Sequence, residues 1–266
     1  MLRTRLLTAV VTMPALLWLV FWAPVWFYAF VILAVTFVAL REFGVMASGS
    51  IKGGQHTVTI GGMAIAVAMG LGQSGAAISA GLVVCLAIVL FITLATAEDM
   101  EKSVNKAAHI LLGCLYAGLL LPHFIWLRAV GDGPTWVIFV LACCMAGDGG
   151  GYFGGAAFGR HPLWPSVSPK KTIEGSLVSL LASLVAGIVV NDLFLGHLGG
   201  VEVLLVAGIV NVLAQLGDLL ESMIKRAYKA KDSGWIFPGH GGVLDRTDSL
   251  VFPVVFIYYY VSLSVV

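Results

Sequence analysis

Charge is scarce in this chain. Of its 266 residues only 11% are Asp, Glu, Lys or Arg, against about a quarter in an ordinary soluble domain. Hydrophobic residues make up 59%, and mean hydropathy is +0.99. A surface that met water all round is therefore excluded, and the solvent for most of the chain is a bilayer. The net charge of +1 excludes a global field that would draw in nucleic acid, so any electrostatics must be local. Paired cysteines are missing too. Cys85, Cys114, Cys143 and Cys144 lie in apolar segments without metal-ligand spacing, which excludes a disulfide framework and leaves them as small buried hydrophobes. The six histidines are scattered without a paired spacing, so zinc is not indicated.

What is present is a series of long apolar runs. A span needs about 20 mostly apolar residues, and nine candidates meet that rule: 6–22, 25–40, 57–72, 77–97, 107–128, 134–157, 173–195, 200–224 and 249–266. Arg3 and Arg5 precede the first run, but no small-residue cleavage site follows it, so 6–22 is read as a retained span. Lys and Arg accumulate on the cytoplasmic side. With Arg3 and Arg5 inside, nine crossings put the loops at 41–56, 98–106, 159–172 and 225–248 inside as well, and these hold every other basic residue except Arg128. The reading is an all-α polytopic integral membrane protein of about nine transmembrane helices, with the N-terminus cytoplasmic and the C-terminus outside.

The charges cluster. Residues 148–174 and 218–248 carry 15 of the 29 charged side chains in under a quarter of the chain. Residues 1–130 are therefore assigned to a transmembrane scaffold of about five helices, and 131–266 to the working region of about four helices with loops 159–172 and 225–248. In the first window Gly147, Gly151, Gly155 and Gly159 recur every fourth residue, a smooth ridge for a close helix neighbour. Packing does not account for Asp148, a carboxylate inside a span, where a charge costs about 2.5–3.5 kcal/mol even on insertion scales. It should face a polar cavity, a metal or a cation. Lys170, Lys171 and Thr172 precede span seven; they serve either as inner-face flags or as an anion site at a helix N-terminus.

Span eight carries a stripe. Asn211, Gln215, Asp218, Ser222, Lys225 and Lys229 step along one helical face toward the cytoplasmic end, with Glu221 beside Asp218. Lys225, Arg226, Lys229 and Lys231 supply cations at its mouth, with Asp232 placed to orient one of them, and a turn follows, "FPGHGG", whose backbone N–H groups around His240, Gly241 and Gly242 could form a nest for phosphate. "DRTD" then sets Asp245 and Asp248 at helical spacing around Arg246. Magnesium takes about one or two protein carboxylates and completes its shell with phosphate and water. Asp218 and Asp245 from two separate spans have the right hardness and number.

The string from Ser222 to Asp248, "SMIKRAYKAKDSGWIFPGHGGVLDRTD", resembles the C-terminal signature of the bacterial phosphatidate cytidylyltransferases, or CDP-diacylglycerol synthases. "GDGGGYFGGAAFGRH" and "VSPKKTIEG" are similar to that family's upstream blocks, with Met145 and Gly147 where tryptophan and alanine are expected. The resemblance covers about a third of the chain. It implies transfer of CMP from CTP to phosphatidate at the cytoplasmic face of a bacterial inner membrane, giving CDP-diacylglycerol and pyrophosphate in phospholipid biosynthesis, with Mg2+ required. On that implication Asp218 and Asp245 hold metal, with Asp148 and Asp248 as further ligands or orienters. Lys225, Arg226, Lys231 and Arg246 neutralise phosphates, with Asp232 orienting a cation and Ser222, His240, Gly241 and Gly242 lining the substrate. Lys170, Lys171 and Thr172 meet the nucleotide or the lipid phosphate. The partners are then CTP, phosphatidate and membrane lipids, without nucleic acid, and a homodimer is allowed. The rival reading is an ion-coupled transporter using Asp148, Asn211, Gln215 and Asp218 as a pathway; no internal repeat supports it. The paired-aspartate motif of the CDP-alcohol phosphotransferases is absent.

Overall fold

The fold is described from a computed structural model, which describes residues 13–51, 53–234 and 241–264. Arg3, Arg5, Lys52 and His240 lie outside the described residues. Helix α1, described over 13–21, is followed by α2 (Val25–Met46), α3 (Gln55–Leu71), α4 (Gly75–Ala95), α5 (Met100–Gly118), α6 (His123–Ala129) and α7 (Gly133–Phe158). A two-stranded antiparallel ribbon, β1 (Pro162–Trp164) and β2 (Ser168–Thr172), then leads into α8 (Ile173–Val190). A π turn at Asn191–Leu195, α9 (Gly200–Ala227), the one-turn α10 (Leu244–Thr247) and α11 (Val251–Ser264) complete the order.

Among the described residues six helical segments are long and apolar enough to cross a membrane: α2, α4, α5 with α6, α7, α8 with its π turn, and α9. The chain is thus a multi-pass membrane protein. Helices α3 and α11 are apolar but shorter. Three local features depart from the sequence expectation. Helix α2 does not stop at residue 40 but runs to Met46, carrying Arg41 and Glu42 on its last turns. Span 107–128 starts earlier and is broken. Asp99 caps α5 by accepting the Lys102 N–H at 3.2 Å, and Pro122, which lacks an N–H, interrupts the ladder. His123 Nδ1 donates to the freed Leu119 carbonyl at 2.9 Å. The third is the ribbon, a small β element in an otherwise helical chain.

The apolar side chains form two cores. Leu40, Phe43, Ile65, Met69 and Ile110 centre the first, contributed by α2, α3 and α5. Trp136, Phe139, Val140, Val206 and Ile257 centre the second, from α7, α9 and α11. The two interlock: Ile224, Leu244 and Val251 are buried in the first core, whereas Val20 and Tyr28 are buried in the second. Arg128, the basic residue that the orientation rule leaves outside, has a local use. Its Nε donates to the Val20 carbonyl at 2.8 Å and another nitrogen reaches the Ala23 carbonyl, with the guanidinium 4.6 Å over the Tyr28 ring. It ties down the carbonyl end of α1.

Candidate functional site

Helices α7, α8 and α9 and strand β2 enclose a cavity of about 460 Å3. The glycine ridge makes one wall, because Gly147, Gly151 and Gly155 line the cavity while the adjacent Gly150 and Gly154 let α8 approach. A Cβ at Gly150 would lie 2.7 Å from the Ala182 side chain, which is inside contact distance. The opposite wall is polar. Asn211 donates to Ser179 Oγ at 2.9 Å, Gln215 donates to Asn211 Oδ1 at 2.6 Å, and Ser176 donates to Gln215 Oε1 at 2.5 Å. The upper half of the stripe therefore knits α8 to α9, and Ser176, Ser179 and Gln215 still reach the cavity.

Two carboxylates and two lysines converge there. Asp148, Asp218, Lys170 and Lys171 all line the cavity. Asp218 is ion-paired with Lys171 and receives the Ser222 hydroxyl at 3.5 Å; Asp148 accepts from Ser249 Oγ at 3.2 Å. Lys171 arrives by way of the ribbon, whose base is locked by Glu174 accepting the backbone N–H groups of Arg160 and His161 at 3.0 and 3.2 Å. Thr172 is the side-chain cap of α8, accepting the Gly175 N–H at 3.1 Å. An incoming anion would thus meet lysines at this helix start, with the Thr172 oxygen already engaged.

A second polar cluster lies beside the first. Lys225 contacts both Glu221 and Asp245, with its ammonium 2.6 Å from Asp245 Oδ1. Asp245 Oδ2 accepts from the Ser233 N–H at 2.9 Å, the Ser233 hydroxyl at 2.7 Å and the Gly242 N–H at 2.8 Å. Burial works against ionisation of Asp245, but the Lys225 ammonium, Gly242 and Ser233 outweigh it and hold the carboxyl well below the usual carboxylate range. Glu221 is fully buried; its Oε1 has no hydrogen-bond partner among the described residues. Asp248 and Ser249 join the clusters, since Asp248 Oδ1 accepts the Ser249 N–H at 2.7 Å and Ser249 in turn holds Asp148. Burial, then the neighbouring carboxylate of Asp218, push the Asp248 carboxyl up to about 7.

The sequence candidates thus divide. Asp148, Asp218, Lys170, Lys171 and Thr172 share the cavity; Lys225, Asp245, Gly241 and Gly242 belong to the second cluster. Arg226, Lys231, Asp232 and Arg246 are exposed and do not line the cavity. Lys229 is off the stripe, because α9 ends at Ala227 and Lys229 adopts a left-handed backbone with φ 56°. The Gly242 N–H is spent on Asp245, so it is not a donor in a phosphate nest. Sequence reading also passed over three groups of the N-terminal half. Glu42 accepts the N–H groups of Val243 and Leu244 at 3.0 and 2.9 Å. His109 Nδ1 lies 2.9 Å from the Tyr228 hydroxyl. The Tyr116 hydroxyl is buried without a hydrogen-bond partner among the described residues, in the field of Asp248, Glu221 and Asp218.

Among the described residues no three His, Cys, Asp or Glu side chains are grouped as ligands of one ion. The donors that fit a hard divalent cation are Asp148 and Asp218, two oxygen ligands facing one cavity, which matches the one or two protein carboxylates (roughly) that magnesium takes. Asp245 fits poorly, since both of its oxygens already carry protein donors.

Comparison with known proteins assigns the chain. The model described as the Cytidylyltransferase family matches residues 3–264. A phosphatidate cytidylyltransferase of Synechocystis sp. is 32% identical over 270 residues, covering 90% of this chain and 89% of the relative. Proteins of the same name from Bacillus subtilis and Staphylococcus haemolyticus are 34% and 41% identical over 178 and 150 residues, or 66% and 56% of this chain. Those two matches span 66% and 57% of the relatives' own lengths, under two thirds of each. The transporter reading gains no support from any of them. With a family match over nearly its whole length and the acidic, lysine-edged cavity on its membrane helices, the chain belongs to the cytidylyltransferase family.

Proposed function

We propose that the chain transfers CMP from CTP to phosphatidate at the cytoplasmic face of a bacterial inner membrane, releasing pyrophosphate and leaving CDP-diacylglycerol. One observation carries this reading: Asp148 and Asp218 share a single cavity with Lys170 and Lys171, among helices of membrane-spanning length. Phosphatidate keeps its phosphate at headgroup level and its acyl chains in the bilayer, whereas CTP comes from water. Tyr152 lines the cavity yet is largely exposed on the outer surface of α7, a helix of membrane-spanning length, which supports lateral access for a lipid. The finer topology, nine crossings with the N-terminus cytoplasmic and the C-terminus outside, rests on the positive-inside pattern and belongs to the same proposal.

The phosphatidate oxygen is itself the nucleophile, so no covalent protein intermediate is needed. Catalysis is then placement and charge neutralisation. Asp148 and Asp218 would hold Mg2+, with Asp248 behind them. Bound there, Mg2+ supplies charge neutralisation on the triphosphate oxygens. Lys171, now paired with Asp218, is free to turn to a phosphate once Asp218 has another cation partner. Lys170 adds a second positive charge at the mouth, and Lys225, aimed by Asp245, supplies a third from the adjoining cluster. The test is direct: purified protein in detergent, labelled CTP, phosphatidate, and Mg2+ or chelator. A labelled lipid with matching pyrophosphate, lost on chelation and restored by Mg2+, is expected. No lipid product across detergents and metals would overturn the reaction.

A further inference from the structure

We propose that Glu42, on the N-terminal half of the chain, is a positioning residue for the transfer reaction: it seats the backbone that carries Asp245 and thereby aims Lys225. The inference rests on the reaction proposed above. Glu42 is 6% exposed, and a carboxylate buried to that degree needs strong compensation. Among the described ion pairs it has no cationic partner. Its compensation is backbone: Oε1 accepts the Val243 N–H at 3.0 Å and Oε2 the Leu244 N–H at 2.9 Å. Those residues immediately precede Asp245, and α10, which they open, has no side-chain cap of its own.

Ser233 stands between the two acids. Its hydroxyl lies 2.7 Å from Asp245 Oδ2 and 3.5 Å from Glu42 Oε2, so its single proton goes to Asp245 and its oxygen accepts the Asp245 N–H at 3.2 Å. Two glycines of the signature make room for this arrangement. A Cβ at Gly234 or at Gly242 would sit 2.6 Å from Glu42 Cδ. The bare positions in "DSG" and "HGG" thus shape a seat for a carboxylate that is about two hundred residues away in sequence. Both oxygens of Glu42 act as acceptors. An amide has one acceptor and two donors, so Gln in that seat would leave a backbone N–H facing an N–H.

The test compares wild type with E42Q, E42D and G234A, purified in one detergent, reading kcat, KM for CTP, Tm and amide hydrogen exchange. For E42Q kcat should fall about 100-fold, the loss a displacement near 1 Å produces, while KM for CTP stays within about 3-fold. The Val243 and Leu244 amides should exchange faster. E42D keeps both acceptors and should recover part of kcat. G234A leaves the carboxylate intact but fills its seat, so it should lose turnover as E42Q does, and it carries the test if E42Q does not fold. Adding E42Q to D245N should lower kcat no further than D245N alone. Wild-type turnover per folded molecule in E42Q or G234A would overturn the proposal, because a merely structural clamp lowers Tm and yield without changing the kcat of what folds. If wild type itself makes no CDP-diacylglycerol, the reaction reading fails instead, and unchanged protection of Val243 and Leu244 in E42Q would still sink the seat.

Discussion

The two polar clusters hold similar residues and differ in what satisfies them. Among the described residues, in the cavity Asp148 has one hydroxyl donor, and Asp218 has a single lysine and a long contact from Ser222. In the adjoining cluster, Asp245 has a lysine, a hydroxyl and two backbone N–H groups, and Glu42 has two backbone N–H groups. A carboxylate with spare acceptor capacity beside an open volume suits a ligand; one that is saturated by its own chain suits the placement of something else. On the proposed reaction the cavity is accordingly the chemical half of the site and the second cluster its frame. The cavity is also built within residues 147–218, whereas the frame draws on α2, α9 and the segment before α11.

Paired substitutions test that contrast. Asp218→Asn should have the largest effect, a loss of CMP transfer of about 1000-fold or more, the upper end for removing a charge-organising group, with Tm little changed because the partner Lys171 reaches solvent. Next comes Asp245→Asn. Turnover should fall about 100-fold through misplacement of Lys225, and stability should fall by about 2–3 kcal/mol as charge-assisted hydrogen bonds are lost. A transfer assay combined with thermal melting separates the two patterns. Equal loss of Tm in both variants, or a greater loss of turnover in Asp245→Asn, would reverse the division of labour. The pH dependence carries a sign as well. The native carboxyl of Asp245 is depressed, so its stabilisation is present above the unfolded value, about 3.9, and is lost as pH falls through the native one. The Tm gap between wild type and Asp245→Asn should therefore be constant from about pH 7 to pH 5 and shrink below about pH 4.

Much of the cavity was legible in the sequence because burying charge in an apolar segment is expensive, and Asp148, Asp218, Lys170 and Lys171 stand out against their surroundings for that reason. The fourfold glycine spacing pointed to a close helix pair, but its ridge faces the cavity and the tightest approach of α8 falls on the neighbouring Gly150 and Gly154. The frame was harder to read. Glu42 follows Arg41 at the end of an apolar run, where a charged pair reads as the edge of a loop, and its partners are backbone groups two hundred residues on that carry no side-chain label. "HGG" signals a tight backbone, but a seat for an anionic ligand and a seat for the protein's own carboxylate call for the same glycines. The ribbon escaped because strands of three and five residues show no alternation to detect.

Between chemistry and frame lies the seam of α8 and α9. Asn211 is 1% exposed and holds Ser179 and Gln215 together. Asn211→Ala should cost about 1 kcal/mol, as interhelical hydrogen bonds in membranes do, and leave the turnover of folded molecules nearly unchanged. A large fall in kcat without a fall in Tm would move Asn211 out of the seam and into the chemical half.

The smallest effect should come from Lys102→Ala, and it bears on whether position alone gives a lysine a role. Lys102 shares its proposed membrane side with Lys171 and Lys225, yet among the described residues its only ion pair is with Asp99 one helical turn away, at 2.9 Å, and both side chains are well exposed. Water and salt screen such a pair, and the Asp99 oxygen that caps α5 through the Lys102 N–H survives the substitution because that bond is to backbone. Neither Tm nor transfer rate should change measurably, at low or high salt. Were Lys102→Ala to slow transfer in proportion to ionic strength, the lysines of the inner face would be acting as a shared field that attracts anionic substrate. The distinction between a charged cavity and its frame would then have to be redrawn around that field.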